Sequence, residues 1–316
     1  PVFSEKVCKF YTMLLIKADF MFEKLFTELT LKNSDQVIPQ LLTFPESNDY
    51  SYLSQQILKA TLIRPFALEA YADFVIRSMA TDEANEILLN TLLDPNSGYP
   101  GSIVLTHILY KKGYFKQDRI NDYIFDKYTN FPNYKARYLF CILAPLIRNR
   151  NKDVFDTQCH NFYMTYSYSG AGNIFTSFFQ TFPSKTDNEI EEMIRDPYGE
   201  IGRAILDDDV DYIKEHITNV NGTIIPSFFM ATDLGQQSPT YLQWAALCGA
   251  ESTFTYLLEN GADPQIRDRQ GRSSLCYAAA GGNLNIIRRL SKLVHDNDHA
   301  KETAIEYENR EVFESA

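Results

Sequence analysis

The chain repeats itself. Thr240-Tyr241-Leu242-Gln243-Trp244-Ala245-Ala246 realigns with Ser273-Ser274-Leu275-Cys276-Tyr277-Ala278-Ala279 at an offset of 33 residues, and the same offset carries Gly249 onto Gly282, Phe254 onto Ile287 and Leu257 onto Leu290. A fixed period of this length marks a stacked array, in which each unit is too small to bury its own apolar face and closes its core against its neighbours. Within a unit, the Leu and paired Ala form the buried face of a short inner helix, and the small Ala lets adjacent helices approach closely. Gly249 and Gly282 supply the tight turn into an outer helix, which carries Phe254, Leu257 and Leu258 in one unit and Ile286, Ile287 and Leu290 in the next. Asn260-Gly261-Ala262-Asp263 ends the first outer helix with a left-handed glycine, and Asp268-Arg269-Gln270-Gly271 reads as a β-turn tip.

These residues resemble the ankyrin repeat, whose pattern runs D-x-x-G-x-T-P-L-H-x-A-A, then a turn Gly, an aliphatic outer helix and G-A-D. Two units match well, residues 232–264 and 265–297. Tyr241 and Ser274 stand where the pattern has Pro, and Gln243 and Cys276 where it has His, so weaker helix starts and weaker polar contacts between units are expected. Before them, residues 198–231 read as a degenerate unit (Ala204, Ile205, Val210, Ile213, Ile217) followed by a long loop over 218–238. After them, residues 298–316 read as a truncated cap that opens at Thr303-Ala304-Ile305-Glu306-Tyr307 and ends on Val312 and Phe313. Degenerate ends are expected, because terminal units close the stack. The run AILDDDVDYIKEHITNVNG, then IIPSFF, then YLQWAALCGAESTFTYLLENGADP is similar to the ankyrin proteins of trichomonad-type protists, in which an all-helical domain of unknown function precedes divergent repeats. That resemblance implies an interaction role and supplies no catalytic residues.

The fold class expected is all-α: a helical N-terminal domain, an α-hairpin stack or bundle, followed by a short ankyrin-repeat solenoid. Apolar residues at Val7, Phe10, Tyr11, Leu14, Leu15, Ala18, Phe22, Leu25, Phe26 and Leu29 have the spacing of an amphipathic helix over 3–31, and further helices are expected over 53–62, 65–79, 82–93, 102–109, 117–128, 134–147 and 153–166. Pro65 suits a first helical turn, and Asp82, Asp118 and Asp153 suit N-caps. Phe162, Tyr163, Tyr166, Tyr168, Phe175, Phe178, Phe179 and Phe182 crowd one segment and are expected to be core, with an aromatic groove or a self-assembly surface as alternatives. The turn over 169–173 lacks the third Gly, the Lys-Ser/Thr and the preceding strand of a phosphate loop.

Charge locates the domain boundary. Residues 1–186 carry 19 basic and 18 acidic side chains, net +1, and residues 187–316 carry 11 and 23, net −12, which together give the chain's −11. The division expected is therefore a helical domain over 1–186 and a repeat domain over 187–316, with Asp187 capping the first helix after Pro183. A net negative chain repels phosphate backbones, so no nucleic-acid partner is expected, and no apolar run reaches the roughly 20 residues of a membrane span. Cys8, Cys141, Cys159, Cys248 and Cys276 are scattered and suit reduced thiols, and the first residues do not read as a signal peptide. The sequon Asn221-Gly222-Thr223 is accordingly expected to be unused, and the localisation expected is cytoplasmic.

No cofactor or metal site is expected. Asp207-Asp208-Asp209 with Asp211 lacks the bend Gly and closing Glu of a calcium loop and reads as a solvated turn, while His295 and His299 flank what reads as a loop. Cys159 and His160 are neighbours that diverge on a helix. What the sequence offers is a surface. By the resemblance, the tips and the ends of the inner helices line one concave face, here Leu247, Cys248, Arg269, Gln270, Arg272, Ala280 and Gly281. The function expected is a non-enzymatic protein–protein interaction module, adaptor or scaffold, whose tip arginines suit an acidic or phosphorylated partner segment. The alternative is an effector-type enzyme whose helical domain acts on a recruited target, which requires a pocket pairing Cys159 or His160 with Asp153 or Asp156.

Overall fold

The computed structural model describes residues 21–94, 100–127, 134–167, 174–295, 297–307 and 309. The expected helix over 3–20, Cys8, Tyr168, the turn over 169–173, and Val312 and Phe313 lie outside these residues, as do the side chains of Tyr166 and Phe175. The chain forms two compact units, residues 1–155 and 156–316. Among the described residues the only β pairing is an isolated bridge between Thr223 and Thr240.

The first unit is a succession of helices: helical turns over 21–27, then α1 (Ser34–Leu41), α2 (Tyr50–Ile63), α3 (Leu68–Ser78), α4 (Asp82–Leu92), α5 (Pro100–Lys111), α6 (Gln117–Lys127), α7 (Tyr134–Ile142) and α8 (Ala144–Arg150). Most helices pack on the next but one: α1 on α3, α2 on α4, α3 on α5, α5 on α7 and α6 on α8. This is the arrangement of stacked α-hairpins. The single helix expected over 134–147 is two, because Pro145 has no N–H to give and its ring crowds the preceding turn, so the ladder restarts at Ala144. Pro65 precedes its helix rather than opening it, in a turn closed by Ala67 N–H donating to the Arg64 carbonyl at 3.0 Å. The caps also shift, by one residue at the first helix and by two at the second. Thr81 and Asn151, not Asp82 and Asp153, accept from the backbone N–H groups of Ala84 and Val154, at 3.1 Å each. The aspartates occupy the first turn instead, where their charge faces the positive end of the helix dipole.

α9 (Lys152–Ser167) crosses into the second unit, which continues with α10 (Ile174–Thr181), a 3-10 turn over Phe182–Ser184 and α11 (Asp187–Arg195). Thr186, one residue before the expected Asp187, caps α11 through a reciprocal box: Glu189 N–H donates to Thr186 Oγ1 at 3.2 Å and Thr186 N–H to Glu189 Oε2 at 2.8 Å. That backbone bond, with Lys185 and the Thr186 hydroxyl, pushes the Glu189 carboxyl down to about 2.

The repeats follow as inner and outer helices: α12 (Gly199–Leu206) and α13 (Val210–His216), α14 (Tyr241–Cys248) and α15 (Glu251–Glu259), α16 (Ser274–Gly281) and α17 (Leu284–Leu290), then α18 (Asn297–Glu306). Inner helices stack in order, α12 on α14 on α16 on α18, and outer helices follow, α13 on α15 on α17. Gly249 and Gly282 end α14 and α16 with φ of 71° and 78°, a conformation that costs a Cβ-bearing residue about 1–2 kcal/mol. Trp244 is fully buried, its indole N–H donating to the Gly202 carbonyl at 3.0 Å and so tying the degenerate first unit to the second. The last unit differs from expectation. α18 begins at Asn297, soon after α17 ends, so Thr303 lies in its second half rather than at its start.

Candidate functional site

The tip of the third unit is built around one carboxylate. Asp268 N–H donates to the Arg272 carbonyl and Gly271 N–H to the Asp268 carbonyl, both at 3.0 Å, closing the turn. The Asp268 side chain is wholly buried and accepts from Gln270 N–H (2.8 Å), Arg272 N–H (2.9 Å), Arg272 Nε (2.8 Å) and the Tyr277 hydroxyl (2.9 Å). Burial pushes its carboxyl up, but these donors together hold it below the usual carboxylate range. Burial drives the Tyr277 phenol far above its usual range, with Asp268 adding to it, so the phenol stays a donor.

The seven residues expected on the concave face divide by exposure. Arg269 and Gln270 are exposed at the tip. Arg272 is partly exposed but already paired with Asp268, its guanidinium 5.8 Å from the Tyr277 ring centre. Cys248 and Gly281 are half-buried, and Leu247 and Ala280 are buried within the stack. Gly281 touches backbone: a Cβ there would lie 2.4 Å from the Leu247 carbonyl oxygen. Burial raises the Cys248 thiol well above its usual value and keeps it protonated. The arginines between residues 267 and 289 do not form one patch. Arg267 and Arg269 belong to the tip, whereas Arg288 and Arg289 lie on outer helix α17, with Arg289 over the Phe254 ring at 5.4 Å.

Polar contacts between units were expected to weaken where Gln243 replaces His. In the second unit they do not. Thr240 and Gln243 form a reciprocal cap, and Gln243 Nε2 donates across to the Ile266 carbonyl at 2.9 Å. The amide is long enough to do both jobs. At the equivalent place in the third unit Ser273 gives α16 no side-chain cap and meets Cys276 only by a 3.6 Å hydroxyl–sulfur contact, as expected.

The aspartate run sits between α12 and α13 and is engaged in capping. Asp209 accepts from Tyr212 N–H at 3.0 Å, and Asp208 reaches the next unit to accept from Ser252 N–H (3.1 Å) and Thr253 N–H (2.8 Å) at the start of α15. Among the described residues no group of His, Cys, Asp and Glu is arranged to hold a metal ion. On α9, Cys159 is buried, while His160, Asp153 and Asp156 are exposed.

Sequence reasoning took the loop over 218–238 as a spacer. In the structure Ile224 N–H donates to the Pro239 carbonyl at 2.8 Å, closing a hairpin base, and Ser238 takes Gly271's left-handed place with φ of 56°. Between these, Phe228, Phe229, Met230, Ala231 and Leu234 are buried. Phe228 stacks on Phe178 at 4.9 Å, and Phe228 and Phe229 join Phe162, Phe179 and Phe182 in one aromatic cluster, so Phe162, Phe179 and Phe182 are core, as expected, while Tyr163 and Phe178 are half-buried. The signal available beforehand was the apolar run Phe228-Phe229-Met230-Ala231, unusual in a solvated loop.

Residues 208–314 match the family model for ankyrin repeats, in three copies. Ankyrin repeats therefore occupy the C-terminal region. Ankyrin repeat domain-containing protein 46 of Rattus norvegicus is 44% identical to this chain over 69 residues, 21% of this chain and 28% of that protein, and its Mus musculus counterpart matches equally. The chain thus spans 28% of the length of these curated relatives. Among the described residues no helix is long and apolar enough to cross a membrane.

Proposed function

We propose that the chain is a non-enzymatic protein-interaction module, an adaptor or scaffold, which takes a protein partner on the concave face of its ankyrin stack. The observation that carries this reading is the tip of the third unit, where a buried Asp268 fixes the backbone and leaves Arg269 and Gln270 exposed. A rigid tip costs little entropy to bind, and guanidinium groups pair well with carboxylates or phosphates, which favours an acidic or phosphorylated partner segment. Of the other residues expected on this face, half-buried Cys248 and Gly281 would form its floor and Arg272 its inner edge, with Leu247 and Ala280 buried beneath. On sequence grounds we assign the functional division to residue 186, with recognition in 187–316, and place the chain in the cytoplasm and with the trichomonad-type ankyrin proteins. The test is affinity capture from the source organism's lysate with the wild-type chain and Arg269→Glu, compared at low and high salt. Loss of a specifically captured protein with the variant is expected; equal capture at every salt refutes the assignment of the tip.

A further inference from the structure

Two hairpin bases, one before α14 and one before α16, repeat each other in register. At the first, Thr223 pairs with Thr240, with Tyr241 N–H donating to the Gly222 carbonyl at 2.9 Å and Ile224 N–H to the Pro239 carbonyl at 2.8 Å. At the second, Asp268 N–H donates to the Arg272 carbonyl at 3.0 Å. Arg272 follows Pro239 by the 33-residue repeat offset, so Ile224 is the counterpart of Asp268, and Ile225 the counterpart of Arg269. Ser238 and Gly271, both left-handed, match at the same offset. Exposure agrees with this register: the Ile224 and Asp268 side chains are buried, whereas Arg269 is exposed and Ile225 is 82% exposed. Two bonds tie the hairpins together. Asn221 Oδ1 accepts from Asp263 N–H at 2.8 Å, and Gln243, in the cap of α14 below the first base, donates to the Ile266 carbonyl in the arm of the second at 2.9 Å. The helices they lead into, α14 and α16, are packed together, and packed helices lie about 8–10 Å apart. A lone exposed apolar side chain is ordinary on a protein surface. Here one is held on a fixed backbone beside a guanidinium that takes no part in closing its own tip, while the tip's carboxylate, Asp268, is buried against Arg272.

We propose that Ile225 and Arg269 together read an extended, polyproline-II-like segment of a protein partner that carries an acidic and a large apolar side chain three residues apart. The guanidinium selects the carboxylate and the isoleucine packs on the apolar group. Polyproline II has three residues per turn and a rise of about 3.1 Å per residue, so side chains three apart share one face at about 9 Å, which matches the spacing of neighbouring units. This inference rests on the array being a protein-binding module and names the chemistry of its partner.

The test uses the full chain and fluorescein-labelled proline octapeptides in which an aspartate and a leucine replace two prolines three positions apart, in either order, with binding followed by fluorescence anisotropy. Wild type is expected to bind one order about tenfold more tightly than a control peptide with the two residues adjacent, which point to different faces. Ile225→Ser weakens that binding by about tenfold through lost apolar burial and leaves its salt dependence in place. Arg269→Gln weakens it by about tenfold and removes most of the salt dependence. The pairing is read from coupling: Ile225→Ser has no further effect on a peptide whose leucine is alanine, and Arg269→Gln none on a peptide whose aspartate is asparagine. Both positions are exposed, so urea unfolding is expected to be unchanged in both variants. If Ile225→Ser leaves affinity unchanged while Arg269→Gln lowers it, the paired surface is overturned and the tip arginine stands. If wild type binds neither order, the proposal is overturned, and capture of a protein through Arg269 still decides the broader reading. A dimer of the unliganded chain that Ile225→Ser disperses, seen by light scattering, assigns Ile225 to a second copy and overturns the proposal as well.

Discussion

Asp208 links two repeats through a few atoms, which makes its replacement informative. The N-cap residue of α15 is Ala250, which has no side-chain acceptor, so the first N–H groups of that helix depend on the Asp208 carboxylate from the preceding unit. Asp208 also lies in the left-handed region, with φ of 54°, which Asp tolerates better than most residues. Two effects can therefore be separated by choice of substituent. Losing a capping acceptor costs about 0.5–2 kcal/mol, and holding a Cβ in the left-handed region costs about 1–2 kcal/mol for residues other than Asn, Asp and Gly. Asp208→Ala suffers both and loses about 1.5–4 kcal/mol. Asp208→Gly loses the cap without strain, about 0.5–2 kcal/mol, and Asp208→Asn keeps an acceptor and the backbone while losing only the charge, about 0.3–1 kcal/mol. The assay is urea unfolding followed by the fluorescence of Trp244, the chain's one tryptophan, buried in the same unit as α15. The expected order of loss is Ala, then Gly, then Asn. If Ala costs no more than Gly, the strain argument fails; if Asn costs as much as Ala, the carboxylate is not acting as a cap.

Gly281→Ala improves helix propensity by up to about 1 kcal/mol, but its Cβ lies 2.4 Å from the Leu247 carbonyl oxygen and 2.8 Å from that of Ala246, backbone atoms that cannot yield cheaply. A net loss of about 1–3 kcal/mol in the same urea assay is expected, and a stabilised variant refutes the close approach of α14 and α16. Acid should also unfold the repeats. Asp208 and Asp268 both titrate below their usual range in the folded chain; each contributes stability above its unfolded pKa of about 3.9 that is lost as pH falls through the folded value. Thermal melts are expected to be flat from pH 7 to about 5 and to fall below about 4, with a shallower fall for Asp208→Asn; a Tm that rises as pH drops below 4 contradicts the sign.

The features read correctly from sequence are local ones. A turn Gly three residues past a paired Ala needs only neighbouring backbone to fix its φ, and a 33-residue offset needs only that equal units stack. The misread features depend on partners far along the chain. Gln243 looked like a weakened contact because its acceptor, the Ile266 carbonyl, belongs to the next unit. Leu247 and Ala280 looked like surface because the resemblance puts the ends of the inner helices on the concave face, yet both are buried in the stack. Arg272 looked as free as Arg269, although Asp268 lies only four residues earlier, because sequence does not say that a tip carboxylate turns inward. The loop over 218–238 looked like a spacer because Phe228 and Phe229 find their partners near Phe178, fifty residues before them.

The acidic surplus between Asp187 and Glu215, 11 acidic against 3 basic side chains, has a structural use that bears on which surface is available. Glu189, Asp208 and Asp209 accept from backbone N–H groups at the starts of α11, α15 and α13, where the helix dipole favours negative charge. Asp196 pairs with Arg203, Asp211 with Lys214 and Glu192 with Arg195, and Glu200 accepts from the Tyr212 hydroxyl. A basic partner docking on this segment has to compete with caps that hold the first repeat together. Arg269 carries none of the hydrogen bonds that fix its tip, so a partner can engage it without dismantling anything. The concentration of negative charge is thus better understood as helix starts packed into a short stretch of chain, which is why the proposal puts recognition at the basic tip instead.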